Sequence, residues 1–152
     1  MPELTQVKET KKGRYALFFD GEFAFSLDED TFAMAGLHTG DELEEWQIHD
    51  LQTKSDTRKA VDKAMDLLAL RDHAAGELYQ KLCRSFDPHS AAAAVAKMQE
   101  LNLLDDAGFA RRRAAELLRK RKSRRAILDD LHAKGIDRGT AAEAVEALFA
   151  QS

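Results

Sequence analysis

Apolar and polar residues alternate with a period of two at the start of the chain and change to a helical period beyond it. Residues 4–10 alternate loosely, Lys11-Lys12-Gly13 reads as a turn, and residues 14–20 are rich in aromatic and apolar side chains. Asp20-Gly21 is a strong hairpin signal, because both positions tolerate positive φ. In the stretch that follows, Phe23, Phe25 and Leu27 fall on one face of a strand. Asp28 is placed to cap a short helix over residues 29–35, and Gly36 to close it. Gly40-Asp41 predicts another turn, and residues 43–51 a second short helix. This is the pattern of a small β-meander with short helices, ending near Thr53, whose core takes Tyr15, Trp46 and most of the phenylalanines.

From Ser55 onward no stretch reads as a strand. Residues 56–70 place Ala60, Val61, Ala64, Met65, Leu67 and Leu68 on one broad helical stripe. A second helix over about residues 74–84 presents Leu78 and Leu82. Asp87-Pro88 marks the start of a third, with the acid at the cap and proline in the first turn. Asp105 or Asp106 caps a fourth, with Phe109, Ala110, Ala114, Leu117 and Leu118 inward. Ser123 caps a fifth, with Ile127, Leu128 and Leu131 inward and Gly135 ending it. Asp137 caps the last.

Six helices resolve into two copies of three. Residues 64–71 match residues 114–121 at an offset of fifty, and residues 92–98 match residues 142–148 at the same offset. The middle helices match less closely, at an offset shifted by three. Order and spacing agree at three places, which marks a tandem repeat. The expected fold class is mainly α, with an N-terminal β-rich module over residues 1–53. Three-helix repeats over 54–104 and 105–152 are expected to form an elongated array.

Charge sharpens this division. The net charge of -4 hides an asymmetry: residues 1–55 hold 12 acids against 5 bases, and residues 56–152 hold 15 acids against 18 bases. Such a split fits modules with different partners. The densest feature is the stretch 111–125, with nine bases and the single acid Glu116. On a helix, Arg112, Arg119 and Lys122 point away from the Leu117/Leu118 face, whereas Arg113 and Arg121 fall toward it and must snorkel or sit at a helix end. Some of these bases complement a helix C-terminal dipole. Nine in fifteen exceed what capping requires, which favours an electrostatic footprint for phosphate or for an acidic protein surface. Arg111, Arg112, Arg119, Lys120, Lys122, Arg124 and Arg125 are the candidate binding residues.

Other chemistry is thin. Asp105-Asp106 is read as helix cap and dipole partner. The five histidines show no metal-ligand spacing, and Cys83 has no evident histidine partner. No cofactor, metal or enzymatic activity is expected. A single cysteine and an N-terminus without an apolar core segment predict a cytoplasmic protein. No apolar run approaches the roughly 18 residues of a membrane helix.

Leu68-Ala69-Leu70-Arg71-Asp72-His73, followed by Glu77-Leu78 and Lys81-Leu82, resembles the first signature of the RecX regulatory proteins. Leu101-Asn102-Leu103-Leu104-Asp105-Asp106 with Phe109-Ala110 resembles their central signature, and Ile127, Leu131 and Lys134-Gly135-Ile136-Asp137 their third. Tyr15 to Phe25 around Asp20-Gly21, with Gly36-Leu37 and Gly40-Asp41-Glu42-Leu43, looks like the extension of some members. Many members carry three helical repeats where this chain has two. Members often have serine at the start of the second helix, where Ala74 stands here, so its cap is expected from Asp72 or His73.

The resemblance implies a non-catalytic, monomeric regulator that binds the RecA recombinase filament and suppresses its ATPase and strand exchange. Single-stranded DNA within the filament is the implied second partner, with weak binding to naked DNA and no membrane contact. Leu78, Leu104, Phe109 and Leu131 would hold the helices in place. Two other readings stay open: a DNA-binding protein built on helix-turn-helix-like three-helix modules, and an adaptor that docks through the acidic N-terminal module.

Overall fold

The computed structural model describes residues 1–150. It divides into two compact units, residues 1–59 and 60–152, of which the last two residues lie outside the described part.

The first unit opens with a three-stranded antiparallel sheet in the order β1 (Leu4–Glu9), β2 (Tyr15–Phe19) and β3 (Glu22–Leu27). Asp20 and Gly21 form the β2–β3 turn with φ of 51° and 85°, as the hairpin signal required. The pairing slips between Leu17↔Phe25 and Phe18↔Phe23, a bulge that places one β2 step against two on β3. The bulge breaks the expected alternation: Phe25 and Leu27 are buried, but Phe23 is 61% exposed. The short helix α1 (Glu29–Ala35) forms as read, with Asp28 accepting from the Thr31 N–H at 3.1 Å and Gly36 left-handed at φ 60°.

The two helices expected over 43–51 and 56–70 are one, α2 (Glu45–Leu70). No glycine or proline interrupts this 26-residue span, so the polar stretch around Thr53 carries no stop signal. Ser55, read as the start of a new segment, is buried in mid-helix. It bonds the Ser26 carbonyl and accepts from Arg14 Nη2 at 2.9 Å. Leu4, Leu17, Phe19, Phe25 and Leu27 of the sheet pack with Leu43 and Leu51 as the core of this unit, and Tyr15 stacks on Phe32. Trp46 is 65% exposed instead, its indole N–H donating to Glu44. It lies off the Ile48–Leu51 stripe that α2 turns to the core.

In the second unit, the C-terminal part of α2 is followed by α3 (Ala75–Leu82), α4 (Pro88–Glu100), α5 (Asp106–Arg119), α6 (Arg124–Ala133) and α7 (Arg138–Ala150). Two cores form. Ala60 and Ala64 of α2 pack with Leu78, Leu82, Ala91, Ala94, Val95 and Met98, with Tyr79 against their edge. Phe109, Ala110, Ala114 and Leu117 of α5 pack with Ile127, Leu131, Ile136, Ala141, Ala144 and Val145. Helices α4 and α7 begin fifty residues apart, at Pro88 and Arg138, so the sequence repeat is a repeat of structure.

Helices α4, α5 and α6 end alike. A residue at positive φ follows the cap: Asn102 at 58°, Arg121 at 61° and Gly135 at 83°. The next N–H reaches back to the carbonyl five residues earlier, Leu103 to Met98, Lys122 to Leu117 and Ile136 to Leu131, at 2.9 to 3.0 Å. No helix among the described residues is long and apolar enough to cross a membrane.

Candidate partner interface

The second unit holds its cations in two different states. Arg119 ends α5, Lys120 caps it, Arg121 and Lys122 make the turn, and Arg124 and Arg125 open α6, so these bases share one exposed α5–α6 turn. Arg111 and Arg112 sit earlier on α5, and Arg112 is about 10 Å along the axis from Arg119 at 1.5 Å per residue. Two of the seven candidate residues carry ion pairs: Lys120 Nζ lies 3.4 Å from Glu116 on its own helix, and Arg112 Nη2 lies 3.1 Å from the distant Asp72. The Arg124 guanidinium stands 5.0 Å over the Phe149 ring. Arg111, Arg119, Lys122 and Arg125 have no ion-pair partner among the described residues.

Local backbone chemistry argues against these residue types at this turn. Arg121 occupies a left-handed position where glycine would avoid a cost of about 1 kcal/mol. Arg124 and Arg125 place positive charge in the first turn of α6, where the helix dipole favours acids and the sequence has none. Ser123 still caps the helix, accepting from the Ala126 N–H at 3.1 Å.

Between the two sets of helices lies a network that sequence alone does not assemble. Glu77 on α3 is buried, and Arg71 grips it with two bonds, Nη2 to Oε2 at 2.8 Å and Nη1 to Oε1 at 3.3 Å. Lys134 Nζ reaches Glu77 Oε2 from the α6 end at 3.4 Å. Burial pushes the Glu77 carboxyl up, but Arg71 and Lys134 outweigh it and hold the group below the usual carboxylate range. Arg113, expected to snorkel, makes a forked pair with Asp130: Nε to Oδ1 at 2.9 Å and Nη2 to Oδ2 at 3.0 Å. That hydrogen-bonded pair lowers the Asp130 carboxyl and raises the Arg113 guanidinium. Asp130 was detectable as an acid flanking the Ile127–Leu131 stripe; its partner was not.

His73 is buried, with Nδ1 2.9 Å from the Arg71 carbonyl and Nε2 2.8 Å from Lys81 Nζ. A carbonyl only accepts, so Nδ1 carries the proton and Nε2 accepts from the lysine. Burial lowers the His73 pKa, in keeping with a neutral ring. His73 therefore does not cap α3, and neither does Asp72. The cap comes from α5: Asp106 Oδ1 accepts from the Ala75 N–H at 2.8 Å, while Asp105 caps α5 itself through the Gly108 N–H at 3.0 Å. Gly76 and Gly135 close the seam, a Cβ on Gly135 standing 2.6 Å from the Gly76 Cα. No group of three or more potential metal ligands forms among the described residues, and Cys83 is a free, half-buried thiol.

Comparison with known proteins gives a consistent picture. The family described as "RecX, second three-helix domain" matches residues 105–145. "Regulatory protein RecX" of Caldanaerobacter subterraneus subsp. tengcongensis is 27% identical, over 94% of this chain and 73% of that protein. Its counterpart in Bacillus velezensis is 30% identical over 97% of this chain and 57% of that protein. The one in Lactobacillus delbrueckii subsp. bulgaricus is 35% identical over 90% and 52%. The chain thus spans little more than half the length of the Bacillus and Lactobacillus relatives. A crystal structure of regulatory protein RecX superposes with a TM-score of 0.70 at 24% identity, covering 97% of this chain and 74% of that one. That likeness establishes the fold: a small N-terminal sheet followed by three-helix domains.

Proposed function

The chain belongs to the RecX family, and from that premise we propose that it is a regulator, chiefly an inhibitor, of the RecA recombinase. It would act without catalysis, as a cytoplasmic monomer that binds the recombinase filament on single-stranded DNA and suppresses its ATPase and strand exchange. The unit expected over residues 105–152 makes the contact in this reading, through Arg111, Arg119, Lys120, Lys122, Arg124 and Arg125.

One observation carries the assignment of the face. At the α5–α6 turn, Arg119, Lys122 and Arg125 are exposed without ion-pair partners, and Arg121 and Arg124 stand at positions that local backbone chemistry disfavours. Exposed charges without a carboxylate partner are available to an outside anion. A filament offers many copies of each site, so modest contacts add through multivalency.

The test is the single-stranded-DNA-dependent ATPase of the cognate recombinase, with this chain titrated well below one copy per recombinase subunit. Strong inhibition at that ratio supports a filament regulator acting at more than one-to-one leverage. No change even at excess removes the reading. The alternative, a DNA reader of helix-turn-helix type, requires tight, sequence-selective binding to naked duplex at physiological salt.

A further inference from the structure

Among the bases of the α5–α6 turn, Arg124 is held in place without being neutralised. Its guanidinium carbon stands 5.0 Å from the centre of the Phe149 ring, and it has no ion pair or side-chain hydrogen bond among the described residues. Phe149, next to the end of α7, is half-buried and packs against the core of the second repeat, as do Leu118 and Leu128. Leu128 follows Arg124 by one turn of α6, so Arg124 stands on the same face, at the rim of that core.

Packing alone accounts poorly for an arginine at this position. An acid there would favour the helix dipole, which arginine opposes, and an aliphatic side chain would cover the ring without the charge. The attraction of the ring for the cation offsets the dipole. It also limits where the guanidinium can go. A long arginine on an exposed helix end samples many rotamers, and a ring fixed on the core removes many of them before a ligand arrives. The contact draws on the charge and flat surface of the ion, and leaves hydrogen-bond donors for a ligand.

We propose that Phe149 is a positioning residue, whose ring preorganises Arg124 as a forked receptor for one phosphate of a single-stranded nucleic-acid backbone. The inference rests on the proposed filament-binding function and names the chemistry of one of its contacts. The neighbours of Arg124 decide between a phosphate and a carboxylate. Arg119, Lys122 and Arg125 on the same turn also lack ion-pair partners among the described residues, so the surface carries a run of unmatched charges. A backbone with a charge on every nucleotide meets several of them together, whereas one carboxylate neutralises one. The planar fork of arginine matches two oxygens of a phosphate, which a lysine at this position would not.

The experiment uses the full chain and its Phe149→Leu, Phe149→Tyr, Arg124→Gln and Phe149→Leu/Arg124→Gln variants, with thermal melts to check folding. Affinity is measured against salt for the recombinase filament on single-stranded DNA and, separately, for the same oligonucleotide alone. Phe149→Leu, which keeps an apolar side chain on the core, is expected to weaken both about three- to fivefold. Phe149→Tyr, which keeps a ring, should bind as wild type does. Arg124→Gln should weaken both and lower the salt slope by about one, and adding Phe149→Leu to it should cost nothing further. An undiminished Phe149→Leu effect in the Arg124→Gln background, or a Phe149→Tyr chain as weak as Phe149→Leu, makes the ring structural only and overturns the proposal. So does a loss on the filament with none on the oligonucleotide, which would make the ligand a protein carboxylate. A wild-type chain that binds the oligonucleotide but not the filament overturns the filament function, and the order of the variants on the oligonucleotide then supports or overturns the phosphate contact. Binding to neither overturns both.

Discussion

The seam between the two three-helix bundles and the α5–α6 turn are both rich in arginine and lysine, yet the same residue types do opposite work. At the seam buried and half-buried carboxylates hold the cations: Arg71 and Lys134 share Glu77, and Arg113 has Asp130. At the turn, Arg119, Lys122 and Arg125 have none among the described residues. Burial makes the difference. Beside the apolar cores an unpaired charge would cost several kcal/mol, so sequence and geometry supply partners; in water the cost vanishes and the charge stays available. Counting bases along a sequence cannot separate the two cases.

Substitutions can break the comparison, and the steepest acts on the seam's backbone. Gly135→Ala puts a Cβ against Gly76 at a residue whose φ is 83°. A loss of about 3 kcal/mol is expected from overpacking and backbone strain together, read as a lower urea midpoint at unchanged slope; wild-type stability would mean that the two bundles do not depend on this contact.

Next in size is Glu77→Gln, which leaves Arg71 and Lys134 facing a neutral group. Because Arg71 is half-exposed, about 2 kcal/mol is expected rather than the full penalty of a broken buried pair. Acid should reach the same network. Glu77 and Asp130 are held below the usual carboxylate range, so the unfolded chain takes up their protons first as pH falls. Their contribution is full above the unfolded carboxylate pKa and fades as pH falls toward the folded one. His73 is lowered as well, so its contribution is full above the unfolded imidazole value of about 6.5 and declines on acidification below it. Stability against pH should therefore fall in two steps, and His73→Gln should remove the upper one; a single step in the carboxylate range for both chains would sink the assignment.

Reversal of Arg119, Lys122 and Arg125 to glutamate should do the opposite of the seam variants. Filament affinity is expected to drop about tenfold or more, roughly 1.4 kcal/mol, while the melting temperature stays near wild type, because no paired partner is stranded. A large loss of stability would show that these charges are structural after all. The smallest effect is a gain: Arg121→Gly should stabilise the chain by about 0.5–1 kcal/mol, since glycine holds the left-handed position without strain.

The legible parts of the fold were those governed by neighbours in sequence. Asp28, Asp87 and Ser123 cap the helices they were expected to cap, and Asp20-Gly21 turns the hairpin. The bases of the turn were legible too, although their freedom was not. Phe23 was misplaced because a bulge, a matter of how β3 pairs with β2, overrides alternation within the strand. Thr53 looked like a boundary because polar residues are common in linkers, yet a polar stretch without glycine or proline continues a helix when one face has something to pack on. The α3 cap was sought at Asp72 or His73, within reach along the chain, and was found on Asp106, 31 residues beyond the amide it receives.

Taken alone, the sequence determined which segments are strands and which are helices, where most helices begin and end, and that one three-helix unit occurs twice, because periodicity, capping and turn chemistry act over a few residues. It also determined that positive charge collects in residues 111–125. Only the tertiary structure decided which of those charges are spent. Hydrogen bonds and ion pairs fall off within a few ångströms, and residues as distant in sequence as Glu77 and Lys134 meet only when two apolar cores bring their helices together.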